Sequence, residues 1–415
     1  RLYPVTAHFH PQGTDIARGL HQFYEGAEIK TKKDADWLAI AGANAWGMNK
    51  ASYEDRLEWA YIEGFDYAEQ ISLNPLDNLD IWGNAKDPFQ FLAWCREWYE
   101  FQEQGFGYVS RFCCCLDGTN NGYQHIAGLI SSQSLATKVN LQNVNQPQDL
   151  YKDVLNKLLL LLDNDTSPQG KQWNLVRDKL TRKFIKKPVL MIPYNSTTFG
   201  IATYIEKYFV GKNISMARNF QNNFYLAVLI EQAVKDICPE SYQVLNYLAK
   251  IAICFNKENK TISWHTPSGF LVQQKYYTNN TKRIKTKLSN SVIYLSLSEP
   301  DEKQVNKRKQ AQGFPSNYIH SFDAAHLHIS VVEAAKKGHK QFCLIHDCFG
   351  SPAAELESLI KSVKQSFFTI YSDNNLDNLH HQVTQQLSDT KGLPPALRMG
   401  EFDITDVLTA PYIFT

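Results

Sequence analysis

Two short apolar runs that each end in an acid carry the chemistry this chain could do. In the first, Phe112-Cys-Cys-Cys-Leu116 delivers Asp117 and then the turn-forming Gly118-Thr-Asn-Asn-Gly122. In the second, Phe342-Cys-Leu-Ile-His346 delivers Asp347, with Gly350 just beyond. Taken alone, Asp117 reads as an ordinary helix N-cap at a strand-to-helix turn. The second run, 347 − 117 = 230 residues on, shifts the balance. Between them lies Arg182-x3-Lys186-x3-Leu190-x3-Tyr194, spaced by four so that two cations and a phenol line one side of a helix. Pro193 should bend or end that helix just before Tyr194. Two carboxylates sharing a site repel one another unless cations neutralise them. Magnesium does so with carboxylate and phosphate oxygens as ligands, and two such ions activate a hydroxyl and stabilise a leaving phosphate. With Lys186 and Arg182 on a triphosphate tail, this is equipment for nucleotidyl transfer.

The elements that must position these groups follow from periodicity and punctuation. Arg1 to Val5 reads as a short strand and Asp15 to Tyr24 as helix-like. His8 and His10 have no third ligand nearby and read as turn residues. A helix begins at Asp36 to Ile40, and Gly42-Ala-Asn44-Ala-Trp-Gly47, followed by Lys50, is a small-residue segment open to close approach. Ser52 to Gln70 is amphipathic, and Pro88 to Gln104 is an aromatic helix whose rings belong to the core. Asn145 to Asp178 is mainly helical and broken at Ser167-Pro-Gln-Gly170. Helices follow at Ile201 to Ile237 and Tyr242 to Asn256, then strand, turn and strand from Ile262. Lys275 to Gln310 reads as a basic β-hairpin projecting from the body. Phe314 opens a helix to about Lys337, with Ser321 or Asp323 as its cap, and Phe342 to Ser351 is a hairpin with Asp347 near its turn. Helices at Ala354 to Tyr371 and Asn378 to Leu387 lead to the aromatic tail Tyr412 to Thr415.

The chain has 415 residues, 43% of them hydrophobic and 13% aromatic, enough for two or three domains around a large core. A formal net charge of +1 leaves nucleic-acid binding to local patches, at 171–187 and 275–309. The longest leucine run, Leu158 to Leu162, is too short to span a bilayer, and no secretory signal is seen. The eight cysteines contain no C-x-x-C, so a zinc site is not expected, and their apolar surroundings suit buried thiols in a reducing compartment. The chain opens on Arg1, and residues that already read as fold interior imply sequence upstream.

Together these residues resemble the single-subunit, bacteriophage-type RNA polymerases of phages, mitochondria and organellar plasmids. The resemblance runs from Arg1 to the end. Asp117-Gly118-Thr-Asn-Asn-Gly122-Tyr-Gln124-His125 is similar to polymerase motif A, Arg182-x3-Lys186-x7-Tyr194 to motif B, and His346-Asp347-Cys-Phe-Gly350 to motif C. Asn317-Tyr-Ile-His320-Ser-x-Asp323 resembles the segment before motif C, Arg1-x-Tyr3 the end of an upstream D-x-x-G-R element, and the tail the C-terminal foot. Gly42-Ala-Asn44 also fits.

The resemblance implies an α/β (α+β) right-hand fold with an antiparallel palm sheet and a mostly helical fingers insertion. Palm would take 1–145, fingers 146–320, and the second part of the palm with the foot 321–415. It implies that Asp117, Asp347 and the Gly118 carbonyl bind two Mg2+ ions. Lys186 would contact phosphate and protonate pyrophosphate, and Arg182 would bind the β- and γ-phosphates. Tyr194 and His320 would sit by the ribose, and His346 would support the primer end. Nucleic-acid contacts would come from Arg1, Tyr3 and Lys50, and from Lys282, Arg283 and Lys285 on a specificity hairpin near 282–309. The implied partners are DNA template, RNA transcript, ribonucleoside triphosphates and an upstream region or initiation factor, without a membrane. The implied location is a mitochondrion or other organelle, or the cytoplasm of a phage-infected cell.

The chain departs from the pattern at Asn195, where phage and nuclear-encoded mitochondrial enzymes have glycine, and at Cys348, where serine is common. Pro193-Tyr194-Asn195 looks more like the organellar-plasmid enzymes. Promoter-binding domain and thumb are absent from this stretch, so weak template binding and low processivity are expected. One rival is a pol I-type DNA polymerase, which carries a bulky Glu five residues after its motif A acid, where Gly122 stands here. The other is a non-catalytic nucleic-acid-binding remnant.

Overall fold

A computed structural model describes residues 1–212, 214–289 and 291–414. Asn213, Asn290 and Thr415, which fall in the expected 201–237 helical stretch, the hairpin and the tail, lie outside the described residues. Helices dominate, and the strands form four small antiparallel sheets among the described residues. β1 (Ala27–Glu28) pairs with β2 (Val109–Ser110), and β4 (Ile262–His265) with β5 (Leu271–Gln274). β6 (Tyr277–Leu288) pairs with β7 (Ser291–Val305). A three-stranded sheet has the order β3 (Cys114–Asp117), β9 (Cys348–Ser351), β8 (Cys343–Ile345). The mixed α/β class agrees with expectation.

The small central sheet is supported from one side. Cys114, Leu116, Phe349 and Ser351 are buried on that face, where the helices Lys32–Trp46 and Ala353–Tyr371 pack against it. Helix Pro88–Gln104 starts with proline at its first turn and stops at Gly105, whose φ of 76° suits a residue without Cβ. It stacks Phe91, Trp94 and Trp98 in series, with centroids 5.5 and 5.8 Å apart, and Trp94 donates its indole N–H to the Leu38 carbonyl at 2.8 Å. What approaches the small-residue segment is Trp94: a Cβ on Gly42 would lie 1.9 Å from its ring. Helix Asn121–Ile130, directly after β3, is buried along its whole length. Helices between 150 and 237 pack chiefly on one another as a separate layer.

Several expected elements take other forms. Arg1 to Val5 is irregular, because its Arg1 side chain reaches across to buried Asp323 instead of the backbone finding a sheet edge. The helix from Asp15 ends at Gly19, where His21 Nδ1 meets the Ala17 carbonyl at 2.5 Å and a Cβ on Gly19 would strike the Phe89 carbonyl. The helix expected from Phe314 starts seven residues earlier, as Lys307–Lys336, capped by the Asn306 side chain on the Lys309 N–H and continuing through Pro315. Ser321 and Asp323 therefore lie mid-helix and cap nothing. The β6–β7 hairpin does project, with both faces largely exposed and Ile284, Leu288, Tyr294 and Leu295 open to solvent beside Lys282, Arg283 and Lys285. No helix among the described residues is long and apolar enough to cross a membrane.

Candidate active site

The acids arrive at one place because β3 and the β8–β9 hairpin are neighbours. Asp117 is the last residue of β3 and pairs with Cys348, so it stands beside the two-residue turn His346–Asp347. The Gly118 N–H donates to the Asp347 carbonyl at 3.1 Å and locks the loop after β3 to that turn. His346 makes the turn with a φ of 59°, an unusual conformation for a residue with a Cβ. Its ring meets Tyr3 edge-on at 5.3 Å, and its Nδ1 is buried without a hydrogen-bond partner. On the far flank, Gly118 bridges to Phe414 and the Thr119 N–H donates to the Ile413 carbonyl at 3.0 Å.

Helix Arg182–Met191 forms the opposite wall. Thr181 caps its start, and it ends at Met191, as the proline at 193 predicts, leaving Tyr194 on the turn beyond. Lys186 is exposed toward the acids. Arg182 is paired with Asp149 and lies over the Tyr151 ring at 5.2 Å. Asp149 in turn caps helix Leu150–Asp163 through the Lys152 N–H. Tyr194 stacks flat on His320, with centroids 4.0 Å apart and planes 4° from parallel. Gly122 lies under that ring, where a Cβ would sit 3.0 Å from Tyr194 Cζ, Tyr194 Oη and Pro193 Cβ. Asn195 takes a φ of 55°, the left-handed region glycine enters freely and asparagine tolerates, and its amide donates to the Gln312 carbonyl at 2.8 Å. The local turn is thus kept without glycine.

The charges are strongly interdependent. Burial, then Asp117, then Asp323 push the Asp347 carboxyl up to about 8. Burial also raises Asp117, although its side chain stays open to the cleft, while Lys186, Lys50, Lys86 and Arg18 oppose the rise. Burial lowers Lys186 against the pull of Asp117, and burial with Lys186 and Arg182 brings Lys50 down to about 8. The acids therefore do not both ionise readily by themselves, and they offer hard oxygen donors to a cation.

One cleft of about 570 Å3 collects Arg1, Lys50, Asp117, Gly118, Lys186, Tyr194, His320 and Asp347. His346 and Tyr3 adjoin it through the Asp347 turn. Arg182 is held at its edge by Asp149, while Lys282, Arg283 and Lys285 lie on the exposed hairpin and line no part of it. Sequence reasoning missed Asp323, Asp149 and Tyr151 as participants. Asp323, buried and 2% exposed, pairs with Arg1 and accepts from the Asn121 amide at 3.0 Å. Burial alone would raise the Asp323 carboxyl, but His125, Arg1 and Asn121 hold it below its ordinary value. Asp149 and Tyr151 grip Arg182; the only signal for Asp149 was its place before an apolar helical run.

A family model described as DNA-dependent RNA polymerase matches residues 29–393. The chain is 29% identical over 429 residues to DNA-directed RNA polymerase 1, mitochondrial, of Arabidopsis thaliana, covering 100% of this chain and 43% of that protein. It is 29% identical over 427 residues to DNA-directed RNA polymerase 3, chloroplastic, of Nicotiana sylvestris, covering 100% and 43%. It is 28% identical over 469 residues to the DNA-directed RNA polymerase of Enterobacteria phage T3, covering 100% and 52%. The chain therefore spans about half the length of the curated relatives it matches.

Proposed function

The chain belongs to the DNA-dependent RNA polymerase family, of the single-subunit phage type, and from that premise we propose that it adds ribonucleotides to an RNA 3′-hydroxyl on a DNA template, releasing pyrophosphate. The observation that carries this reading is the convergence of Asp117 and Asp347 on neighbouring strand ends, facing Lys186 across a cleft bounded by the Tyr194–His320 stack.

The donor set fits divalent magnesium. Two carboxylates and the Gly118 carbonyl are hard oxygens, and the raised Asp347 carboxyl marks a pair that needs positive charge. Asp117, Asp347 and Gly118 would hold two such ions, which supply an activated 3′-oxygen and neutralise the leaving phosphate. Lys186 binds the phosphates and gives its proton to departing pyrophosphate, a task its lowered pKa suits. Arg182 exchanges Asp149 for the β- and γ-phosphates. Tyr194, kept flat by His320, presents its hydroxyl to the ribose, and Gly122 leaves the room a larger side chain would take. His346 supports the primer end, with Tyr3 against it, while Arg1 and Lys50 face the nucleic acid.

In this reading 1–145 and 321–415 form the palm, and 146–320 the fingers. Lys282, Arg283 and Lys285 on the β6–β7 hairpin meet promoter DNA. An upstream region or initiation factor completes template binding.

Extension of an RNA primer on a DNA template with magnesium tests the proposal. Extension by rNTPs, lost in Asp117→Ala and in Asp347→Ala while far-ultraviolet circular dichroism is unchanged, supports it. A preference for dNTPs, or no extension even with the upstream region supplied, overturns it.

A further inference from the structure

Pairing of β3, β9 and β8 sets Cys115, Gly350 and Cys343 in one row across the central sheet. Cross-strand partners share a face, here the one opposite buried Leu116 and Phe349. Because the middle residue is glycine, nothing separates the flanking thiols, and Cys115 Sγ lies 3.7 Å from Cys343 Sγ. A Cβ on Gly350 would stand 2.5 Å from Cys115 Sγ and 3.1 Å from Cys113 Sγ. Cys113 brings its sulfur to 3.4 Å from Cys115 Sγ, and the three sulfurs all lie within 4.8 Å of one another.

A disulfide between Cys115 and Cys343 does not explain this row. Two strand spacings separate their backbones by about 9–10 Å, against a limit of about 7 Å. A tetrahedral metal does explain it. A zinc–sulfur bond of about 2.3 Å gives sulfur–sulfur edges of about 3.8 Å, close to the two distances found. A cavity of about 180 Å3, lined by Arg18, His21, Phe112 and Phe342, opens on the sulfurs and gives an entry path.

We propose that Cys113, Cys115 and Cys343 form a thiolate site for zinc(II), its fourth position open to the adjoining cavity. Each thiol gives its proton to solvent as its sulfur binds. The three soft sulfurs stand apart in chemistry from the hard oxygens of Asp117 and Asp347, so magnesium does not compete. The ion ties β3 to β8 across β9, bracing the two strands that lead into the acids.

The reduced, metal-stripped chain is titrated with cobalt(II) and then zinc(II). The expected result is one equivalent of cobalt giving a sulfur-to-cobalt charge-transfer band, displaced by one equivalent of zinc. The band disappears in the Cys115→Ser/Cys343→Ser double variant and in Gly350→Ala, which fills the cradle while keeping every thiol. It persists in Asp347→Asn. Absence of the band in the parent chain, or its survival in the double variant, overturns the site. Native mass spectrometry of the parent chain answers without any variant: one zinc retained after dialysis supports the site, and none overturns it.

Discussion

Gly122→Ala tests whether the position of the Tyr194 ring governs sugar choice. The added Cβ would lie 3.0 Å from Tyr194 Cζ, Tyr194 Oη and Pro193 Cβ. Carbon contacts are comfortable at about 3.5–4.0 Å, so the ring must yield by roughly half an ångström. It has nowhere to yield without disturbing its stack, since His320 lies 4.0 Å away on an almost parallel plane. Overpacking of this kind costs about 1–3 kcal/mol, and the gain of alanine over glycine in a helix offsets up to about 1 kcal/mol. The net cost is about 0–2 kcal/mol. Unfolding entropy of about 2.1 cal/mol/K per residue over 415 residues comes to about 0.9 kcal/mol/K, so Tm falls by about 2 °C at most. The fold survives while the hydroxyl is displaced. Losing one hydrogen bond to the ribose is worth about 1–1.5 kcal/mol, a fall of about five- to tenfold in the rNTP/dNTP ratio of kcat/KM. Single-nucleotide incorporation with rATP and dATP, beside a thermal melt, reads both quantities. A lowered Tm with the ratio unchanged within about twofold would refute the argument, because the ring would then have moved without consequence for the sugar.

Other perturbations follow from the same geometry. Because Asp347 is raised to about 8 in the folded protein, the folded state keeps a proton that the unfolded chain releases above about 4. Without divalent ions, stability therefore falls as pH rises from about 4 to 8, by at most about 1.4 kcal/mol per unit. Urea melts should show this slope, and both Asp347→Asn and added Mg2+ should flatten it; a slope unaffected by either contradicts the paired-acid picture. Replacing Lys282, Arg283 and Lys285 together with alanine should lower the log–log salt slope of duplex binding by about 2.7, read by fluorescence anisotropy, if all three meet phosphates. An unchanged slope would take the hairpin off the DNA. Gly42→Ala, whose Cβ would fall 1.9 Å from the Trp94 ring, should cost about 3 kcal/mol in a chemical melt, since neither helix can give way. A loss under about 1 kcal/mol would show that this helix pair is looser than its ring stack implies.

Much of this site was legible because its signals are local. A strand-length apolar run ending in an acid and a glycine reads the same at Asp117 and at Asp347, and Pro88 and Gly105 bracket a helix by their own backbone chemistry. The rest depends on partners far away in the chain. Asp323 looked like a helix cap because Arg1, its ion-pair partner, lies 322 residues away and leaves no trace in the local pattern. The start of helix Lys307–Lys336 was hidden because its first turn, at 307–310, reads as the end of the basic hairpin segment. The cysteines carried no ligand spacing, since the row through Gly350 exists only after two strands of distant origin meet. Asn195 read as a departure from glycine, yet both residues can enter the conformation the turn uses.

The bridge from Gly118 to Phe414 has a consequence for biosynthesis. These residues are 414 − 118 = 296 positions apart, and a ribosome adding about 5–20 residues per second needs roughly 15–60 s to make the intervening chain. Throughout that time the loop carrying the first acid lacks the segment that flanks it, and for most of it the second acid does not yet exist. The two acids therefore come together only after residue 347 has been made, and the loop behind Asp117 gains its flanking segment only after residue 414.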